Sequence, residues 1–392
     1  MLRRMETTDC AASTLRSRLR DRAATFAKTQ IAPRGDLRAH ETVPEGLWRA
    51  LGEAGLAQIG LPEAYGGAGG DLRALVMAAE AIAEHGGNLG MVTSWMGRQL
   101  IARLHILGHG TADQRAAYLS DLAAGRLTPC LAISEPDAGA HPKFLATTAE
   151  RDNGVYVLNG EKAYLTNGPM ADIFLVLAIT GVEDDRKRFS VLIVPRGAPG
   201  LALTEGVKID YLRPSPHCGL KLTGVRVPAE NRLGPEGDAF PAISLPMRRT
   251  EDAVFAASKA GAMRHILQAI CAEAVALSVD EEEVLGEIGK LSAASHGLAA
   301  LAFHGAELLD MDPVAHADEV GAIAAAAREW AGSLQERITA LIDRIGLTPS
   351  PALAAECRDF EKSLGIARGA YAIQAQRRGR ALFERLTESK TS

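Results

Sequence analysis

The feature that most narrows what this chain can fold into is a change of texture partway along it. Between about Thr128 and Leu233 short apolar runs follow one another: Val155-Tyr-Val-Leu, Ile173-Phe-Leu-Val-Leu-Ala, Phe189-Ser-Val-Leu-Ile-Val, Leu201-Ala-Leu and Gly224-Val-Arg-Val-Pro. Turn signals such as Asp152-Asn-Gly and Asn159-Gly separate them, the pattern of short strands. On either side the spacing is helical. Arg16–Thr29 and Leu75–His85 place apolar residues three and four apart. After Gly237, alanine-rich stretches at Val254–Leu277, Leu298–Leu309, Ala322–Ile345 and Pro351–Leu386 predict long helices with short connections, which implies a bundle. The expected architecture is α+β and multi-domain. A helical domain spans 1–126, a β domain 127–238 and a helical bundle 239–392. A β unit between two helical ones places a ligand site at their junction.

Composition removes several function classes. Hydrophobic residues are 47% and charged residues 23%, ordinary for a soluble globular protein. The net charge is −5, with no run of five like charges, which argues against a nucleic-acid or anionic-membrane surface. The densest acidic cluster, Asp280–Glu283, reads as a solvated helix start. Five scattered cysteines without CxxC spacing read as free thiols of a reducing compartment. No apolar run reaches the roughly 18 residues of a membrane span, and Met1-Leu-Arg-Arg-Met-Glu lacks a signal-peptide core. The expectation is a cytoplasmic protein. His105 and His109 form the only HxxxH pair; it lacks the neighbouring Glu of a zinc motif and reads as structural, so no metal is expected. Leu61-Pro-Glu-Ala-Tyr-Gly-Gly-Ala-Gly-Gly-Asp71 follows no clear strand and reads as a turn between helices.

Two segments carry the sharpest chemical signal: Leu131-Ala-Ile-Ser-Glu-Pro-Asp-Ala-Gly-Ala140 and Gly154-Val-Tyr-Val-Leu-Asn-Gly-Glu-Lys-Ala-Tyr-Leu-Thr-Asn-Gly168. Both bring hydroxyls (Ser134, Thr166) and glycines (Gly139, Gly168) to strand ends. Hydroxyls and exposed N–H groups there can bond a polar heteroaromatic ring, and Tyr164 can stack on it. The same residues also read as two hairpin turns.

Taken in order, these segments resemble the acyl-CoA dehydrogenase family of flavoproteins. Leu47-Trp-Arg-Ala-Leu-Gly-Glu-Ala-Gly-Leu, Gly108-His-Gly-Thr-Ala-Asp-Gln-Arg-Ala-Ala-Tyr-Leu, Ile133-Ser-Glu-Pro-Asp-Ala-Gly, Leu158-Asn-Gly-Glu-Lys-Ala-Tyr-Leu-Thr-Asn-Gly and Val225-Arg-Val-Pro-Ala-Glu-Asn-Arg-Leu-Gly carry the resemblance across nearly the whole chain. It implies a helical N-domain, a β-barrel middle domain and a C-terminal four-helix bundle. It also implies FAD, with its ring near Ile133, Ser134, Gly139, Ala140, Tyr164 and Thr166. Ser134 stands where the family has a flavin-contacting threonine, Thr166 matches the residue that bonds near flavin N5, and Tyr164 replaces a tryptophan or phenylalanine.

The implied reaction is α,β-dehydrogenation of an acyl thioester, carried by CoA or a carrier protein. It needs a desolvated carboxylate as base. At the usual position of that base, in Gly365-Ile-Ala-Arg-Gly-Ala-Tyr, Arg368 stands instead. A minority of the family places the base on the first bundle helix, which here is Thr250-Glu-Asp-Ala-Val-Phe-Ala-Ala-Ser-Lys-Ala-Gly261. Glu251 falls on that position, with Asp252 as the alternative.

The chain also departs from the pattern in its cofactor segments. The Arg-x-x-Phe-Gly segment that reaches a neighbour's FAD is replaced by Ala276-Leu-Ser-Val-Asp-Glu-Glu-Glu-Val-Leu-Gly-Glu-Ile-Gly-Lys290, and the Gly-Gly-x-Gly loop by Gly346-Leu-Thr-Pro-Ser-Pro351. Ala140 and Asp252 replace a serine and an arginine used on CoA. The implied partners are an electron-accepting flavoprotein and further subunits, in a homo- or hetero-oligomer (dimer or tetramer). The alternatives are a catalytically silent structural subunit, or different flavin oxidase or oxygenase chemistry on the same fold.

Overall fold

A computed structural model describes residues 2–277 and 279–388. The chain opens with five helices: α1 (Leu2–Phe26), α2 (Glu45–Glu53), α3 (Leu72–Gly86), α4 (Leu89–Leu100) and α5 (Ala112–Ala123). Side chains start three of them. Asp71 accepts from the N–H of Ala74 at 2.9 Å, and Asn88 from that of Met91 at 2.9 Å. Thr111 and Gln114 form a reciprocal capping box on α5. The glycine-rich segment is a turn whose N–H groups serve its own carbonyls: Gly69 donates to Leu61 at 2.8 Å, and Gly60 to Gly69 at 2.8 Å. A side chain at Gly67 would meet the Leu61 carbonyl at 2.1 Å, so only glycine closes this turn.

Eight strands follow: β1 (Pro129–Ala132), β2 (Thr148–Asp152), β3 (Val155–Thr166), β4 (Ile173–Glu183), β5 (Arg186–Pro195), β6 (Leu201–Thr204), β7 (His217–Pro228) and β8 (Arg232–Leu233). They form one sheet in the order β6-β7-β3-β2-β4-β5-β8, with β1 also parallel to β4. β6 and β8 end this path, and among the described residues no ladder joins them. One face buries Tyr156, Leu158, Phe174, Val176, Leu192, Leu220 and Val225 in the sheet's own core. The other face of β4 and β5 sends Leu175, Leu177, Val191 and Ile193 into the core shared with the helices. These two strands are buried on both faces, which is why they read as continuous apolar runs rather than as an alternation.

The second helical region contains α6 (Leu245–Ala276), α7 (Glu282–Met311), α8 (Ala317–Arg344), α9 (Pro351–Gly365) and α10 (Arg368–Glu388). Helices α6 to α9 pack on one another as the expected four-helix bundle. On α8 the buried residues Val320, Ala324, Ala327, Ala331, Leu334, Ile338 and Leu341 recur at alternating steps of four and three. That is the seam of closely crossing helices, and its alanines admit neighbours closely.

The helical stretch Pro351–Leu386 is divided between two helices, α9 and α10. Ile366 is extended and Ala367 has a φ of +56°. Arg328 of α8 holds the break open by donating to the carbonyls of Leu364 and, at 2.8 Å, Ile366.

The three regions lock together through buried polar contacts. Arg264 of α6 bonds Glu80 and Glu84 of α3. Asp310, at the end of α7, accepts from the N–H groups of Leu72 and Arg73 at the start of α3. Trp48 donates to the Thr128 hydroxyl at 3.1 Å, and Gln114 to the carbonyls of Glu230 and Arg232, which seats the sheet on the first helices.

Candidate active site

The two motif segments meet directly: the N–H of Ala163 donates to the Ser134 carbonyl at 2.8 Å. Beneath them lies a buried ion pair. Lys162 donates from Nζ to the Ile133 carbonyl at 2.9 Å and to Glu135 Oε1 at 3.0 Å. Glu135 also accepts from the N–H groups of Ala146 and Thr147, at 2.7 and 2.9 Å. Burial lowers the Lys162 ammonium to about 8, against the opposing pull of Glu135, so it stays charged at neutral pH. Burial pushes the Glu135 carboxyl up, but Lys162 and the hydrogen bonds outweigh it and leave the group below its usual range. The pair anchors the turn 133–140 from within.

That turn closes with paired bonds between Glu135 and Gly139, at 2.9 and 3.0 Å. Gly139 has a φ of +54°, and nothing lies within 4 Å of where its side chain would stand, so its outer side is open. The N–H groups of Ser134 and Ala140 reach no acceptor among the described residues. Ile133 and Ser134 are half-buried and Ala140 is exposed.

Across from the turn, the β3–β7 register slips between Lys162 and Leu165. This bulge turns Tyr164 outward with a φ of +60° and leaves it 45% exposed, unusual for an aromatic residue within a strand. Tyr211 lies near it; burial raises the Tyr211 phenol, with Asp210 and Tyr164 adding to the rise. Thr166 ends β3, and its hydroxyl meets His217 Nε2 at 3.0 Å. Asn167, with a φ of +64°, then donates to the Ser94 carbonyl at 2.8 Å and ties this corner to α4.

Glu251 lies in the second turn of α6. It is half-buried and makes no hydrogen bond or ion pair with a described residue. Burial pushes its carboxyl up to about 7; Arg248 pulls the other way, and Asp252 adds to the rise. Asp252 itself is paired with Arg248 at 2.7 Å. Of the two neighbouring carboxylates, only Glu251 is therefore unpaired. Arg368, which takes the usual place of the base in the resemblance, is exposed at the start of α10.

Of the stretch 276–290, Ser278 lies outside the described residues. Its acidic cluster begins α7 as expected, with Glu282 and Glu283 in the first turn. Arg344 pairs with Glu283 and Arg337 with Glu287, along a cleft of about 580 Å³ between α7 and α8. Among the described residues no group of three or more His, Cys, Asp or Glu side chains is placed to hold a metal ion.

Sequence reading gave no separate role to Glu135, Lys162 or His217. A charged Lys162 in the middle of an apolar strand was a readable anomaly. Nothing local signalled His217, because it faces Thr166 only through strand pairing.

Comparison with known proteins agrees with this arrangement. "Acyl-CoA dehydrogenase, N-terminal domain" matches residues 15–126, and "Acyl-CoA dehydrogenase, middle domain" matches 130–225. An acyl-CoA dehydrogenase of Bacillus subtilis is 33% identical over 216 residues, which is 55% of this chain and 56% of that protein. The chain thus spans just over half the length of the curated relatives it matches. Butyryl-CoA dehydrogenase from Megasphaera elsdenii superposes with a TM-score of 0.81 at 23% identity, covering 94% of this chain and 98% of that one. A glutaryl-CoA dehydrogenase from Mycobacterium smegmatis, solved in complex with FADH2, superposes at 0.77 with 23% identity, covering 94% of both chains. The three-part fold, the order of the two motif segments and the two domain matches agree: the chain belongs to the acyl-CoA dehydrogenase family.

Proposed function

We propose that this chain catalyses flavin-dependent α,β-dehydrogenation of an acyl thioester, with Glu251 as the base that takes the α-proton. The observation that carries this reading is the state of Glu251: a half-buried carboxyl with no partner among the described residues and a pKa raised to about 7. A carboxyl tuned to that range takes a proton far more readily than an ordinary exposed one, yet is still substantially ionised near neutral pH.

The second support is the face built by 133–140 and 163–166. It offers two N–H groups without acceptors, two hydroxyls, an open glycine and an outward aromatic ring. That set of donors, acceptors and apolar surface fits the isoalloxazine of FAD. Ser134, Thr166 and the N–H of Ala140 would hold its polar edge, while Ile133, Gly139 and Tyr164 would pack on it. When bound, the flavin supplies the acceptor for the hydride that leaves the β-carbon. The rest falls to the protein. Glu251 receives the proton, and the Glu135–Lys162 pair keeps the turn in place.

The reading extends to an electron-accepting flavoprotein as redox partner, to assembly as a dimer or tetramer of like or unlike subunits, and to a cytoplasmic setting. None of the described helices is long and apolar enough to cross a membrane. One observation favours a carrier-protein thioester over CoA as a second reading. Asp252, paired with Arg248, stands where the resemblance places an arginine used on CoA, so that contact to the carrier is missing.

The test is anaerobic bleaching of the flavin band by acyl thioesters of CoA and of a carrier protein. Wild type bleaches with one class and Glu251→Gln with neither. A wild type that no thioester bleaches would overturn the activity. A Glu251→Gln variant as fast as wild type would remove Glu251 as the base.

A further inference from the structure

Beside Thr166 stands a histidine whose two ring nitrogens both have partners. His217, at the start of β7, is Thr166's register partner. Its Nδ1 meets the Ser215 carbonyl at 3.1 Å, and its Nε2 meets Thr166 Oγ1 at 3.0 Å. A carbonyl oxygen only accepts, so Nδ1 carries a proton. Burial holds His217 below its usual pKa, so the ring is neutral near pH 7 and Nε2 is a bare lone pair. The proton of that second bond therefore comes from the threonine: Thr166 donates its only hydroxyl hydrogen to His217. The surroundings fix both groups. The Thr166 carbonyl accepts from the Cys130 thiol at 3.3 Å, and Ser215 accepts from the Ser94 hydroxyl at 3.1 Å.

A hydroxyl whose hydrogen is committed can offer only lone pairs to whatever lies above it. Flavin N5 changes character on reduction. It is a lone-pair acceptor in the oxidised ring and an N–H donor in the reduced one. We propose that His217 is a positioning residue that turns Thr166 into a hydrogen-bond acceptor, so that this corner of the site favours the reduced flavin over the oxidised one. The proposal rests on the flavin reading above, with Thr166 at the position that the resemblance places near flavin N5. It assigns to His217 the setting of the flavin's reduction potential, a role separate from binding or proton abstraction.

The experiment uses the full chain loaded with FAD and measures the two-electron reduction potential by equilibration with reference dyes. His217→Phe keeps the ring's bulk and removes the acceptor, which frees the Thr166 hydroxyl to donate to oxidised N5. The potential is expected to fall by the equivalent of about a tenfold shift in the redox equilibrium, ~30 mV for two electrons. Thr166→Val, which removes the hydroxyl, is expected to lower it too. Adding His217→Phe to Thr166→Val should change nothing further, because His217 acts through Thr166. Flavin that binds with equal potentials in wild type and His217→Phe overturns the inference and leaves the flavin reading standing. So does a His217→Phe effect that persists without the hydroxyl. A wild type that holds no flavin overturns both. If His217→Phe does not fold, nitrogen NMR of labelled histidine in the wild-type chain decides the matter at pH 7. A protonated Nδ1 with a bare Nε2 supports the inference; the opposite tautomer or an imidazolium refutes it.

Discussion

At the scale of single residues, the same burial that raises the Glu251 carboxyl makes it a burden on folding. Its pKa in the folded chain is about 7, above the ordinary 4.5. Between those values the folded state binds more protons than the unfolded one, so the residue's contribution worsens as pH rises through that window. Glu251→Gln removes the ionisation while keeping the shape. It is expected to melt at a higher temperature than wild type at pH 8 and at a similar temperature near pH 4.5, which scanning calorimetry reads directly. In the same variant dehydrogenation should fall by roughly 10²–10⁴-fold, the range typical of a lost general base. In wild type the chemical step should accelerate as pH rises through about 7. The sequence singles out Glu251 as a candidate by position alone, because a carboxylate stands on α6 while Arg368 takes the usual place of the base. Its tuning was not legible, since it depends on which side chains the folded bundle brings around it and on Asp252 being taken up by Arg248.

At the scale of elements, the turn 133–140 depends on an ion pair in the interior. The Lys162 side chain is wholly buried and Glu135 nearly so. Lys162→Met would strand the carboxylate, for which an expected destabilisation is about 3–5 kcal/mol. Denaturant unfolding measures this, and loss of retained flavin would accompany it, since the Ile133 carbonyl loses its tether. The break between α9 and α10 makes the complementary case. Arg328→Met removes two bonds from a charged donor to backbone carbonyls, about 2 kcal/mol of local stability. It should speed hydrogen exchange from Ile366 through α10 and leave α6 and α7 unchanged.

These elements also show where sequence patterns stop informing. β4 and β5 were plain as apolar runs because both their faces are buried. β1 and β2 were not read as strands, since four or five residues of mixed polarity carry too little periodicity. The α9–α10 break has no proline, and its left-handed residue is Ala367 rather than glycine. An arginine on another helix sustains it, and no local rule contains that fact.

At the scale of the whole molecule, the three regions act as one frame because charged groups cross between them in buried positions. The principal strut is Arg264 of α6 against Glu80 and Glu84 of α3, with side chains only 7%, 16% and 14% exposed. Burial alone would raise the Glu84 carboxyl, but the Arg264 guanidinium outweighs it and holds the group below its usual 4.5. A carboxyl depressed in the folded state contributes stability above its unfolded pKa and loses it as pH falls through the folded one. The strut therefore weakens below about pH 4.5, where the unfolded chain takes up protons that the folded chain resists. Arg264→Met leaves two carboxylates against an apolar neighbour. At pH 7 the expected loss is about 3–5 kcal/mol, the cost of stranding a buried charge. As pH falls far enough to protonate Glu84 the loss should shrink. Urea unfolding of both proteins from pH 3 to 8 reads the difference. A gap between them that stays constant across that range would mean that packing of the arginine's carbon chain, rather than its charge, holds the first helices against the bundle.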